Sequence, residues 1–82
     1  MNLLVLTPER EIYQGQINSV KVPGITGQFE ILKNHAPIVA ALGQGEVRII
    51  DGKGDKKVFS IKKGFIEVLK NEISLLVQGV KE

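Results

Sequence analysis

The sequence predicts an all-β domain, a sandwich or barrel of short strands, on three observations. Apolar residues recur with period two through most of the chain, and turn-forming residues interrupt that pattern at short intervals. The chain has 82 residues and no cysteine, so it folds around one thin core without a disulfide staple. Short strands punctuated in this way belong to sandwiches and barrels.

In chain order, Leu3-Leu4-Val5-Leu6 forms a strand that is apolar on both phases, and Thr7-Pro8 ends it. Gln14-Gly15 reads as the next turn, and Pro23-Gly24 with Gly27 as a tight reversal. Asn34-His35-Ala36-Pro37-Ile38-Val39-Ala40-Ala41-Leu42-Gly43 fits two structures. It offers an N-cap, an early proline and a terminal glycine, as a two-turn helix would. Pro37 nonetheless pushes Ala36 to extended geometry, and two turns are too few for propensity to decide, so a strand is favoured. Beyond the Gly43-Gln44-Gly45 turn, Val47 and Ile49 alternate with Glu46 and Arg48; Asp51-Gly52-Lys53-Gly54 then reverses the chain. Phe59 and Ile61, Ile66 and Val68, and Ile73, Leu75 and Val77 repeat the alternation, separated by turns at Lys63-Gly64 and Lys70-Asn71.

Leu3 to Leu6, Ile38-Val39 and Leu75-Leu76-Val77 carry apolar residues on both phases. A sandwich core takes one face of each strand. The other phase either covers itself where strands wrap at the corners or waits for a partner.

Composition excludes several classes of function. The chain is too short for a multidomain enzyme. One His and no Cys leave out the usual structural zinc and iron–sulfur sites. No apolar run approaches the ~20 residues of a membrane helix, and Met1 to Leu6 lacks the basic flank and cleavage site of a signal peptide, so a soluble intracellular domain is expected. The net charge of +2 is too small to imply nucleic acid. Five lysines do cluster between Lys53 and Lys63. They read as a solvated hairpin that also resists edge-to-edge aggregation. The alternative is a phosphate track of Lys53, Lys56, Lys57, Lys62 and Lys63 on a barrel binding single-stranded nucleic acid, for which Phe59 is the one stacking residue within the run.

Catalytic patterns are missing. His35 has no sequence partner that marks a nucleophilic triad, and reads as a hydrogen-bonded loop or interface histidine. Gly43-Gln44-Gly45 and Gly52-Lys53-Gly54 lack the remaining residues of phosphate-binding loops. The carboxylates are scattered singly rather than paired for hydrolysis. No catalytic residue, metal ligand or cofactor is assigned.

Three segments in order resemble the epsilon subunits of F-type ATP synthases: Leu6 to Gly15, Val20 to Pro37 with its Gly27-Gln28-Phe29-Glu30-Ile31-Leu32-Lys33-Asn34-His35-Ala36-Pro37 core, and Leu42 to Ile49. Lys62-Lys63-Gly64-Phe65-Ile66-Glu67-Val68 fits a further family strand. The resemblance runs the length of the chain. It implies a flattened β-sandwich of about ten short strands, with residues 1–82 as one epsilon-type domain. The family's pair of helices, which restrains ATP hydrolysis, is not expected, because the chain stops at Val80-Lys81-Glu82.

The resemblance also implies a non-catalytic central-stalk subunit of a proton-translocating ATP synthase. Such a subunit grips the gamma subunit, rests on the ring of c subunits and couples ion flow to ATP synthesis. It would be peripheral to the cytoplasmic face of an energy-coupling membrane, a bacterial inner membrane in the simplest case, and would bind no nucleic acid. Gly24, Ile25, Thr26, Gly27 and Gln28 match the loop that meets the c ring. Thr7, Lys33, Asn34, His35 and Ala36 match positions facing gamma, with the surplus apolar phase at Val39 and Ala41 extending that contact.

Overall fold

In the computed structural model, which describes residues 1–82, the alternation becomes eight strands and no helix. They are β1 (Asn2–Leu6), β2 (Glu11–Gly24), β3 (Gly27–Leu32), β4 (Ile38–Leu42), β5 (Gly45–Asp51), β6 (Lys56–Ile61), β7 (Lys63–Leu69) and β8 (Glu72–Gln78). The expected class is correct, but the strand count is eight rather than ten. One reason is Gln14-Gly15, which is not a turn: Gln14 pairs with Leu4 and Gly15 with Leu3 inside the 14-residue β2. Glycine there continues a ladder instead of reversing it. The break expected at Lys63-Gly64 falls at Lys62, and those two residues open β7. The ambiguous stretch resolves as expected, with Ile38–Leu42 extended against β7.

β2 is long because it serves two sheets. Its first half pairs with β1, and β1, β8, β7 and β4 follow in order. Its second half lies between β3 and β5, and β6 completes that second sheet. The passage from one sheet to the other coincides with a bulge between Ile17 and Ser19, which bends the strand at the corner. At the opposite corner Gly24 pairs with Leu42, and two bonds reinforce the seam, Gly43 N–H to Pro23 O at 2.8 Å and Ile25 N–H to Ala41 O at 3.2 Å. All pairings are antiparallel except β1 with β8.

One phase of each sheet fills the space between them. Leu3, Val5, Ile66, Val68, Ile73, Leu75 and Val77 from the first sheet meet Val20, Val22, Ile31, Val47, Ile49, Phe59 and Ile61 from the second, all essentially inaccessible to water. Burying each such side chain stabilises the fold by about 1.5–3 kcal/mol. After β8, Gly79 turns the chain at φ 70° and Lys81 pairs with Ser60 through two 2.9 Å backbone bonds, so the terminal residues cross the edge of β6. No helix is long and apolar enough to cross a membrane.

Candidate functional site

The inward phase of the first sheet is core, so its outward phase can be read from the ladder register. Ala41 pairs with Phe65, Phe65 with Leu76, and Leu76 with Leu6, which lays four apolar side chains in one row across four strands. The next row holds Val39, Glu67, Ser74 and Leu4. Leu69 lies beyond Glu67 on the same phase of β7. Val39 is 71% exposed, Phe65 59%, Leu69 53% and Leu76 53%. The surplus apolar phase therefore does not cover itself at the corners. It forms one continuous face open to solvent, larger than scattered surface leucines would produce.

At one end of this face the β2–β3 turn rises beside β4. Leu6, Thr7, Ile25, Ala41, Phe65 and Leu76 line an open groove there of about 680 Å³. Both turn glycines have a physical reason. A Cβ on Gly24 would lie 2.6 Å from Gly27 O and 2.8 Å from the Phe29 ring, so the position is set by close approach. Gly27 has open space around it but φ 138°, which L side chains resist. Ile25 and Thr26 between them, and Gln28 just beyond, are exposed, and the Ile25 side chain, 68% accessible, stands at the tip.

The residues matched to a gamma contact lie on the face and at its two ends. Thr7 lies at the groove end. Its hydroxyl donates to Arg10 O at 3.1 Å and accepts from the N–H groups of Glu9 at 3.2 Å and Arg10 at 3.0 Å. Thr7 thus spends its polar group on the β1–β2 turn, leaving its carbon face to line the groove. Val39 and Ala41 lie on the face itself. Lys33, Asn34, His35 and Ala36 form the β3–β4 connection at the far end. Asn34, at φ 65°, is clamped to the β7–β8 turn: its N–H donates to Asn71 Oδ1 at 2.7 Å, and Asn71 Nδ2 donates to Asn34 Oδ1 at 3.0 Å. His35 is half-buried, and its Nδ1–H donates to Ala36 O at 2.7 Å while its backbone N–H reaches Leu32 O.

Sequence reasoning missed Phe65, Leu69 and Asn71. Phe65 and Leu69 were legible, since Ile66 and Val68 in the core phase of β7 force them onto the opposite face. Asn71 was not, because its partner is 37 residues away in sequence.

Elsewhere the surface is charged. The lysines from Lys53 to Lys63 do not form one track: Lys53 sits in the β5–β6 turn, while Lys62 and Lys63 sit at the other end of β6. Phe59 is buried in the core and unavailable for stacking. Glu82 is held below the usual carboxylate range, chiefly by the hydrogen bond from Arg10 at 2.7 Å and further by the charges of Arg10 and of Lys57 at 3.7 Å. No group of three or more His, Asp or Glu side chains comes together to hold a metal ion.

The family model of the delta/epsilon chain β-sandwich domain of ATP synthases matches residues 1–82. The chain is similar to the ATP synthase epsilon chain of Leptospira borgpetersenii, 46% identical over 76 residues, 93% of this chain and 59% of that protein. It is 42% identical over 76 residues to the ATP synthase epsilon chain of Chlorobaculum tepidum, covering 93% of this chain and 86% of that one. Its fold superposes with TM-score 0.89 on a chain in the cryo-EM structure of the OSCP/F1/c-ring part of the Euglena gracilis mitochondrial ATP synthase, at 18% identity, covering 96% of this chain and 51% of that one. The chain thus spans little more than half the length of some relatives and most of the length of others.

Proposed function

This chain belongs to the ATP synthase delta/epsilon β-sandwich family, and from that premise we propose that it is a non-catalytic rotor subunit of a proton-translocating F-type ATP synthase, linking gamma to the c ring. Residues 1–82 act as one epsilon-type domain. The observation that carries this reading is the continuous apolar face of β1, β8, β7 and β4, with the β2–β3 turn at its end. A central-stalk subunit needs two contacts at an angle, one durable and one at the foot of the stalk, and the face and the turn supply them.

Gamma takes the face. Covering Val39, Phe65, Leu69 and Leu76 removes mostly apolar area from water, at about 1–2 kcal/mol for each side chain after allowance for the part already buried. Thr7 and Ala41 extend the contact at the groove end, while Lys33, Asn34, His35 and Ala36 extend it at the far end. The Asn34–Asn71 clamp keeps that second end in place.

The turn Gly24 to Gln28 takes the c ring. Thr26 and Gln28 exchange hydrogen bonds with polar loops without burying a charge, and Ile25 adds one apolar contact. Torque passes between the two contacts through the β4–β2 seam, which stiffens the turn against the face. The protein then works at the cytoplasmic face of an energy-coupling membrane, a bacterial inner membrane in the simplest case, as a peripheral subunit.

The direct test is to mix the 82-residue chain with recombinant gamma and follow co-elution. A complex at micromolar concentration is expected, and it should be lost with a charged residue at Phe65. Failure of the unaltered chain to bind gamma at that concentration counts against the assignment.

A further inference from the structure

We propose that, in the absence of gamma, two copies of this chain pair face to face through the apolar side of the first sheet, about a twofold axis along the row Leu6, Leu76, Phe65, Ala41. The charges on β7 select this arrangement. β7 places Lys63, Phe65, Glu67 and Leu69 on its outward phase, with Gly64, Ile66 and Val68 turned inward. Two sheets stacked by a twofold axis lying between them have two simple settings. With the axis along β7, each outward residue of that strand meets its own copy, so Lys63 faces Lys63 and Glu67 faces Glu67. Like charges in an apolar contact oppose that setting.

With the axis across the strands at Phe65, the two copies of β7 run antiparallel. Phe65 then meets Phe65, and Lys63 and Glu67, each about 7 Å along the strand from Phe65, exchange places. Two Lys63–Glu67 pairs form, one on either side of an aromatic centre. The same operation acts on β8. Ser74 shares a row with Glu67, and Gln78 shares a row with Lys63, so Ser74 of one copy falls opposite Gln78 of the other, two polar side chains able to share a hydrogen bond. The face is therefore complementary to itself in one orientation, with the apolar row on the axis and polar groups matched around it.

The area suits an exchangeable dimer. The molecule measures 27 × 24 × 19 Å, so a broad face offers on the order of 600 Å² and the pair buries on the order of 1,200 Å², the lower end of specific interfaces. Area alone does not set affinity, but an interface at this end of the range suits weak association, placed here in the micromolar range. The pairing covers Phe65, Leu76 and Ala41, which are among the side chains assigned above to gamma, so dimer and gamma complex exclude each other. The dimer does not depend on that assignment, because its test needs no second protein.

The experiment is sedimentation equilibrium on the 82-residue chain alone, with circular dichroism confirming that each variant folds. For the unaltered chain the weight-average mass should climb from 9.0 kDa to twice that value across the micromolar range. Glu67→Lys alone and Lys63→Glu alone should each weaken the association about tenfold or more, and the double swap should restore it. The proposal is overturned by a chain that stays at 9.0 kDa up to about 1 mM, a weakness equivalent to roughly 4 kcal/mol of binding. It is equally overturned if the single reversals dimerise as well as the unaltered chain, or if the double swap is no tighter than the singles.

Discussion

The two outer faces of the sandwich rest on the same core and could hardly differ more in chemistry. On the second sheet, Glu30, Lys21 and Arg48 lie in one row across β3, β2 and β5, and Arg48 bonds Glu30 at 3.1 Å over the lysine between them. Charged side chains there satisfy one another and water, and the exposed large apolar residues of that face, Leu32 and Val58, lie on its two outer strands, β3 and β6. On the first sheet the corresponding rows are Ala41, Phe65, Leu76 and Leu6, then Val39, Glu67, Ser74 and Leu4. One face is finished with solvent alone, whereas the other leaves its apolar area uncovered. The difference separates two outward phases that strand alternation alone would merge: one carries charges that pair with each other and with water, and the other carries the apolar area assigned above to a partner.

The largest test of that contrast places a charge on each face. Phe65→Glu should lower gamma affinity about 30-fold, or roughly 2 kcal/mol, as loss of a central aromatic anchor does. Val58→Glu on the opposite face should change it less than about twofold. Titration calorimetry against gamma measures both, and equal losses would erase the distinction between the faces.

A smaller effect is expected at the turn. Gly27→Val imposes a β-branched side chain on φ 138° and should cost about 1–2 kcal/mol of local stability. Because no atom lies within 4 Å of the added Cβ, the cost is purely conformational. Attachment to the c ring should weaken while gamma affinity holds. A normal rate of proton-driven ATP synthesis with the variant subunit would mean that the turn is not a working contact.

Smaller still is the ion pair of the charged face. Arg48 and Glu30 are each more than a third exposed, so Glu30→Ala should cost at most about 0.5 kcal/mol in chemical denaturation and leave gamma affinity unchanged.

The smallest effect concerns pH. Glu82 is depressed below its ordinary value of 4.5 by Arg10 and Lys57, so its stabilising contribution is complete above that value and fades as pH falls through the depressed one. Melting temperature compared between the unaltered chain and Glu82→Gln should differ slightly at neutral pH and converge in acid. A difference that persists in strong acid would exclude the carboxylate as its source.

Much of the fold was legible because alternation is local. Val47, Ile49, Phe59, Ile61, Ile66, Val68, Ile73, Leu75 and Val77 could be assigned to the core from their immediate neighbours, and all of them are buried. Gln14-Gly15 misled for the same reason: a dipeptide that favours turns elsewhere had ladder partners at Leu4 and Leu3 that no local window contains. The turn Gly24 to Gly27 was legible as a reversal, but the separate reasons for its two glycines were not. The Phe29 ring that excludes a side chain at Gly24 is positioned by strand pairing rather than by the tetrapeptide.

The sequence by itself determined the class of fold, the inward phases of the strands that alternate apolar with polar residues, and membership of the family, since each depends on residue types at short, fixed spacings. Only the tertiary structure decided which outward residues share a face. Leu6, Ala41, Phe65 and Leu76 come from four separate strands, and what aligns them is the register of backbone hydrogen bonds between segments up to 70 residues apart, including the parallel pairing of β1 with β8. Shifting any of those pairings by one residue would turn that strand's contribution into the core. The apolar face is thus a property of the ladders as much as of the residues standing on them.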